Sequence, residues 1–132
     1  MKPIDKLAWI LIKDKAILST KTYGKDKYYI PGGKRETGET DIQALCREIN
    51  EELSVDLKIE TLQFLREFQA QAHGHPEGTI VKMTCYMADY TGHLKPAAEI
   101  EEIKWLNYSD KDNISEVDKL IFDFLKERDL IN

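Results

Sequence analysis

Gly33-Lys34-Arg35-Glu36-Thr37-Gly38-Glu39-Thr40-Asp41-Ile42-Gln43-Ala44-Leu45-Cys46-Arg47-Glu48-Ile49-Asn50-Glu51-Glu52-Leu53-Ser54-Val55 reads as a loop that runs into an amphipathic helix. Ile42, Leu45, Cys46, Ile49 and Leu53 recur at i, i+3, i+4, i+7 and i+11, which lines one side of a helix with apolar groups. Thr40 and Gln43 have the spacing of a capping box at its start. At about 100° per residue, Glu48, Glu51 and Glu52 fall within an arc of about 100° beside that stripe. Like charges three and four residues apart cost a few tenths of a kcal/mol per pair, and a bound cation would remove that cost. Carboxylate oxygens are hard ligands that suit Mg²⁺, with Mn²⁺ as a substitute. Arg47 is spaced to reach Glu51 at i,i+4. Taken alone, the helix fits a solvated acidic face at least as well.

The segment before the helix moves the reading toward chemistry. Pro31-Gly32-Gly33-Lys34-Arg35-Glu36-Thr37-Gly38-Glu39 sets three glycines and a further acid where backbone can approach a ligand closely. Gly33, five residues, Glu39, seven residues, then Arg47 to Val55 resembles the Nudix (MutT-like) box, GX5EX7REUXEEXGU with U a bulky aliphatic residue. All of its specified positions but one are met. The exception is Ser54, where the pattern has glycine. A left-handed residue after a helix favours glycine, and serine there costs on the order of 1 kcal/mol or moves the chain into another cap. Glu99 to Leu106 is similar to the acidic segment and Trp-containing strand that many family members place before the final helix. The resemblance implies an α/β fold, the family's α/β/α sandwich with a mixed β-sheet between helices, formed by residues 1–132 as a single domain.

It also implies an enzyme, a magnesium-dependent pyrophosphohydrolase that directs water onto a phosphorus of a nucleoside diphosphate linked to another group X. Matched residue by residue, Glu48, Glu51 and Glu52, with the carbonyl of Gly33, take metal-ligating positions. Glu48 or Glu52 serves as general base, and Glu99, with Glu102 behind it, is the candidate for a further catalytic acid outside the box. Glu39 and Arg47 are expected to brace the loop and helix. Nucleoside triphosphates, ordinary or oxidised dNTPs, rank first as substrates because the chain is short. A nucleotide sugar, ADP-ribose and a dinucleoside polyphosphate stay open.

Outside the box, Leu7 to Ile12 and Ala16 to Thr20 read as a hairpin or bent strand pair, and Tyr28-Tyr29-Ile30 as a short strand stopped by Pro31. Further strands are expected over Leu57 to Ile59, Thr61 to Phe68, Thr79 to Tyr90 and Ile103 to Leu106, with a polar loop from Gln69 to Gly78. Ser115 fits the N-cap of a last helix with Val117, Leu120, Ile121, Phe124 and Leu125 on its apolar face. This order predicts a mixed sheet with helices on both faces. Candidate substrate contacts are Lys21, Tyr28, Lys34, Arg35 and His73, with His75, Tyr23 and Tyr29 nearby. Trp9 alternates with Leu7 and Leu11 and is expected in the core.

Composition narrows the classes. The 132 residues are 42% hydrophobic and 33% charged, suited to one domain with its own core and without a run long enough to span a membrane. A net charge of −5 argues against binding nucleic acid, which needs clustered Lys and Arg, but leaves a small nucleotide open if metal ions supply positive charge. Met1 to Lys6 has no secretion-signal pattern, so a cytoplasmic location is expected. Cys46 and Cys85 are expected as free, mostly buried thiols. A homodimer is the default expectation for any assembly. Two competing classes are a nucleotide sensor that keeps the fold without catalysis, which the retained box acids oppose, and an acidic helical interaction module that binds no metal.

Overall fold

Leu7, Ala8, Trp9 and Ile10 are each at most 1% exposed, so the strand that carries them is covered on both faces. A computed structural model describes residues 3–72 and 75–132. In chain order its elements are β1 (Ile4–Ile10), β2 (Ile12–Lys13), β3 (Ala16–Thr22), β4 (Gly32–Gly33), α1 (Asp41–Leu53), β5 (Asp56–Leu57), β6 (Gln63–Gln71), β7 (Ile80–Met87), β8 (Tyr90–Thr91), β9 (Ile100–Leu106) and α2 (Glu116–Glu127). Two 3-10 turns lie at Ile59–Thr61 and Tyr108–Asn113. The main sheet has the order β4-β1-β7-β6, β2-β3-β9 forms a second, and β5 and β8 make a small ribbon. β1 runs parallel to β7, from Ile4 opposite Val81 to Ile10 opposite Met87, and antiparallel to β4. The sheet is therefore mixed.

Side-chain alternation along β1 divides the core into two layers. Leu7 and Trp9 pack with Leu45, Ile49 and Leu53 of α1, while Ala8 and Ile10 pack with Ile121, Phe122 and Leu125 of α2. The helices thus cover opposite faces, the expected α/β/α arrangement. Trp9 is fully buried, and its Nε1 donates to the carbonyl of Ala88 at 3.0 Å. Cys85 is buried and Cys46 half-buried, both free. No helix among the described residues is long and apolar enough to cross a membrane.

Several element readings change. The hairpin is made by β2 and β3, closed by Asp14 and Lys15 in the left-handed region, whereas β1 leaves it to join β7. Tyr28 to Ile30 forms no strand; Tyr29 bridges Thr20 and Tyr28 bridges Ile114 singly, and the Ile30 N–H is taken by the Asp118 carboxylate. β6 continues through Gln71, into the segment that polar composition marks as loop. On α2 the buried row is Val117, Asp118, Ile121, Phe122 and Leu125, with Leu120 41% exposed. A buried aspartate in that row shifts the apolar pattern by one position and hides Phe122 from a periodicity reading.

Candidate active site

The capping box forms as the spacing requires. Thr40 Oγ1 accepts from the Gln43 N–H at 3.2 Å, and the Gln43 side chain accepts from the Thr40 N–H at 3.0 Å, so α1 starts at a defined residue. At its other end Ser54 adopts φ 63°, ψ 25°, the left-handed cap that the family pattern assigns to glycine, and its N–H bonds the Asn50 carbonyl. The serine keeps the cap and accepts the strained conformation.

Arg47 organises the loop. Its Nε and Nη2 grip Glu39 at 2.7 and 2.8 Å in a bidentate pair, Nη2 also donates to the Lys34 carbonyl at 3.1 Å, and Nη1 donates to Glu48 at 3.0 Å. The i,i+4 contact to Glu51 is longer, at 3.4 Å. The Arg47 bond, followed by the Glu36 N–H, holds the Glu39 carboxyl down at about 2, and Glu39 in turn raises the Arg47 guanidinium above its ordinary value. Gly33 passes directly under Glu48: a Cβ there would lie 2.4 Å from the Glu48 carboxyl carbon. A side chain at this position requires the Glu48 carboxylate to move.

Glu48, Glu52 and Glu99 share the wall of one cavity of about 370 Å³ with Gly33 and Lys34. Glu52 is 7% exposed and accepts from the Gly32 N–H at 3.3 Å. Burial, then the charges of Glu48 and Glu99, push its carboxyl up to about 8 against that hydrogen bond. Burial likewise raises Glu48, with Arg47 opposing and Glu51 and Glu99 adding to the rise. Lys6, Lys25 and Lys34 line the same cavity as these three acids, so its wall carries both signs of charge. As the side chains stand, no three His, Cys, Asp or Glu among the described residues form a ready metal-binding group: Glu48 is drawn to Arg47 and the Glu51 side chain is 52% exposed. The donor chemistry of these carboxylates nevertheless suits a hard divalent cation.

The other sequence candidates divide by place. Lys34 is on the cavity wall. Lys21 faces Glu101 at 3.9 Å, Tyr28 donates its hydroxyl to Glu102 at 2.8 Å, and Arg35 pairs with Asp5 and Asp41, all outside the lining. Tyr23 is 64% exposed. His75 lines the cavity, and His73 lies outside the described residues. Two residues that sequence reading passed over stand at or behind this wall. Lys6 lines it from β1. Asp118 is fully buried behind it, with Oδ2 bonded to the Ile30 N–H and Oδ1 without a hydrogen bond. A lysine at an inward position of a strand was the available signal for the first. An acid in an apolar helical row was the signal for the second.

The sequence matches the family model described as NUDIX domain over residues 5–125. The chain belongs to the Nudix family. It is a hydrolase. Similar folds include the E. coli ORF135 protein, at 25% identity and a TM-score of 0.75 over 97% of this chain and 92% of that one. A MutT NUDIX hydrolase from Burkholderia pseudomallei is 20% identical with a TM-score of 0.74, over 93% of this chain and 98% of the other. A UDP-X diphosphatase is 17% identical with a TM-score of 0.73, and 97% of this Nudix chain aligns with 64% of it. No curated protein matches the sequence.

Proposed function

We propose that this Nudix hydrolase cleaves a diphosphate linkage in a nucleoside diphosphate bonded to a further group, with nucleoside triphosphates, ordinary or oxidised dNTPs, as the leading substrates. The observation that carries this reading is the buried Glu52 beside Glu48 and Glu99 at the wall of a cavity large enough for a nucleotide. Glu48, Glu51 and Glu52, with the Gly33 carbonyl, would hold Mg²⁺ or Mn²⁺, which neutralises diphosphate oxygens and lowers the pKa of the attacking water. Glu48 or Glu52 receives the proton of that water, and Glu99, facing both, is the further acid. Arg47 and Glu39 keep α1 and the glycine loop in register, so the carboxylates and the Gly33 backbone meet the same phosphates. Lys34 on the wall would contact a phosphate oxygen.

A nucleotide sugar or other NDP-X compound is the second reading, supported by fold likeness to both MutT proteins and a UDP-X diphosphatase. Phosphate and pyrophosphate release from a panel of dNTPs, oxidised dNTPs, nucleotide sugars, ADP-ribose and dinucleoside polyphosphates, with and without Mg²⁺, tests both. Mg²⁺-dependent turnover that falls at least about 100-fold in Glu52→Gln is expected. Turnover unaffected by that substitution would remove Glu52 from the chemistry.

A further inference from the structure

Ile4, Lys6, Ala8 and Ile10 share one face of β1 by strand alternation, and Ala8 and Ile10 lie in the core beneath α2. Lys6 is therefore a cation at an inward position, opposite Met83 of β7 across the parallel pair. It lines the cavity together with Ile4, Val81 and Met83 on the sheet side and Ile100 and Val117 on the other. Among the described residues Lys6 makes no hydrogen bond or ion pair. Burial and the charge of Lys34 disfavour its ammonium, while Asp118 and Glu52 favour it. Lys6 is half-buried, so its ammonium stands among apolar neighbours with no fixed protein acceptor and has protons to give to a group that enters the cavity.

We propose that Lys6 reads the substrate's base, donating its ammonium protons to O6 of guanine or O4 of uracil, so that these bases are preferred over adenine and cytosine, which carry an amino group at the matching position. This rests on the nucleotide reading given above. An ammonium offers donors only, so it needs an acceptor and is repelled by the amino group that adenine or cytosine presents in place of the carbonyl. The apolar residues on either side suit a flat heterocycle. A phosphate fits less well there, because stripping water from a multiply charged anion against Ile4 and Met83 costs more than desolvating a neutral carbonyl.

The test separates base contact from hydrolysis. Binding of GMP, UMP, AMP and CMP to the metal-free protein is measured by calorimetry for the wild type and Lys6→Met, beside kcat/KM for the corresponding triphosphates with Mg²⁺. The methionine keeps the apolar stem length, and circular dichroism checks its fold. Expected are roughly tenfold tighter binding of GMP and UMP than of AMP and CMP in the wild type, and loss of that preference in Lys6→Met with AMP affinity little changed. Equal affinities in the wild type, no measurable binding of any of the four, or equal weakening of all four in Lys6→Met would overturn the proposal. The last result would assign Lys6 to phosphate. A keto preference in binding with no turnover of any triphosphate would leave Lys6 as base reader and sink the triphosphate reading instead.

Discussion

Asp118→Asn should make this protein more stable at pH 8 than at pH 4 relative to the wild type. The Asp118 carboxyl is fully buried, and burial pushes it up to about 7 from an ordinary 3.8, against the Ile30 N–H and the Lys6 charge. Between those values the native state holds a proton that the unfolded chain has released. Wild-type stability therefore falls by about 1.4 kcal/mol per pH unit across that window. The stabilising neutral form is complete below pH 3.8 and lost as pH rises through about 7. Over about three units the loss amounts to about 4 kcal/mol, a large part of a typical domain's 5–15 kcal/mol. Asparagine keeps an oxygen for the Ile30 N–H, bonded at 3.0 Å in the wild type, and cannot ionise. Urea unfolding of both proteins from pH 4 to 8 isolates the residue, because contributions of other groups, Glu52 among them, cancel in the difference. A difference that rises steadily up to about pH 7 is expected. One that stays constant with pH would refute the assignment of a neutral buried carboxyl.

Gly33→Ala should displace Glu48, whose carboxyl carbon lies 2.4 Å from the added Cβ, and lower kcat by about 100-fold with little change in melting temperature. Retention of activity within a factor of two would show that this approach is not used in the reaction. Arg47→Met frees Glu39 and Glu48, and Mn²⁺ affinity measured by calorimetry should fall about 10- to 100-fold. Unchanged affinity would confine Arg47 to the fold. Ser54→Gly relieves a non-glycine residue at φ 63° and should stabilise by up to about 1 kcal/mol in urea unfolding. A loss of stability would mean that the Ser54 hydroxyl, 3.4 Å from the Lys95 carbonyl, contributes more than the strain costs.

The local features were readable from the sequence by itself. Thr40 and Gln43 cap α1, the Leu45, Ile49 and Leu53 stripe faces the core, and the glycine loop meets the acid helix, because capping and helical periodicity act over only a few residues. Glu48 and Glu52, one helical turn apart, were legible as neighbours for the same reason, and Glu99 through its resemblance to the family's acidic segment, whereas Glu51, grouped with them by spacing, stands outside the cavity lining. Only the tertiary structure decided that β1 pairs with β7, Ile4 opposite Val81, and not with the neighbouring β3. Register between distant strands depends on which faces the whole fold buries. The bidentate grip of Arg47 on Glu39, stronger than the helix-spaced contact to Glu51, likewise needed the loop folded back over α1. Lys6 and Asp118 carry the same lesson. Pattern reading assigns charged residues to solvent, whereas long-range packing brings one to the cavity wall and buries the other behind it.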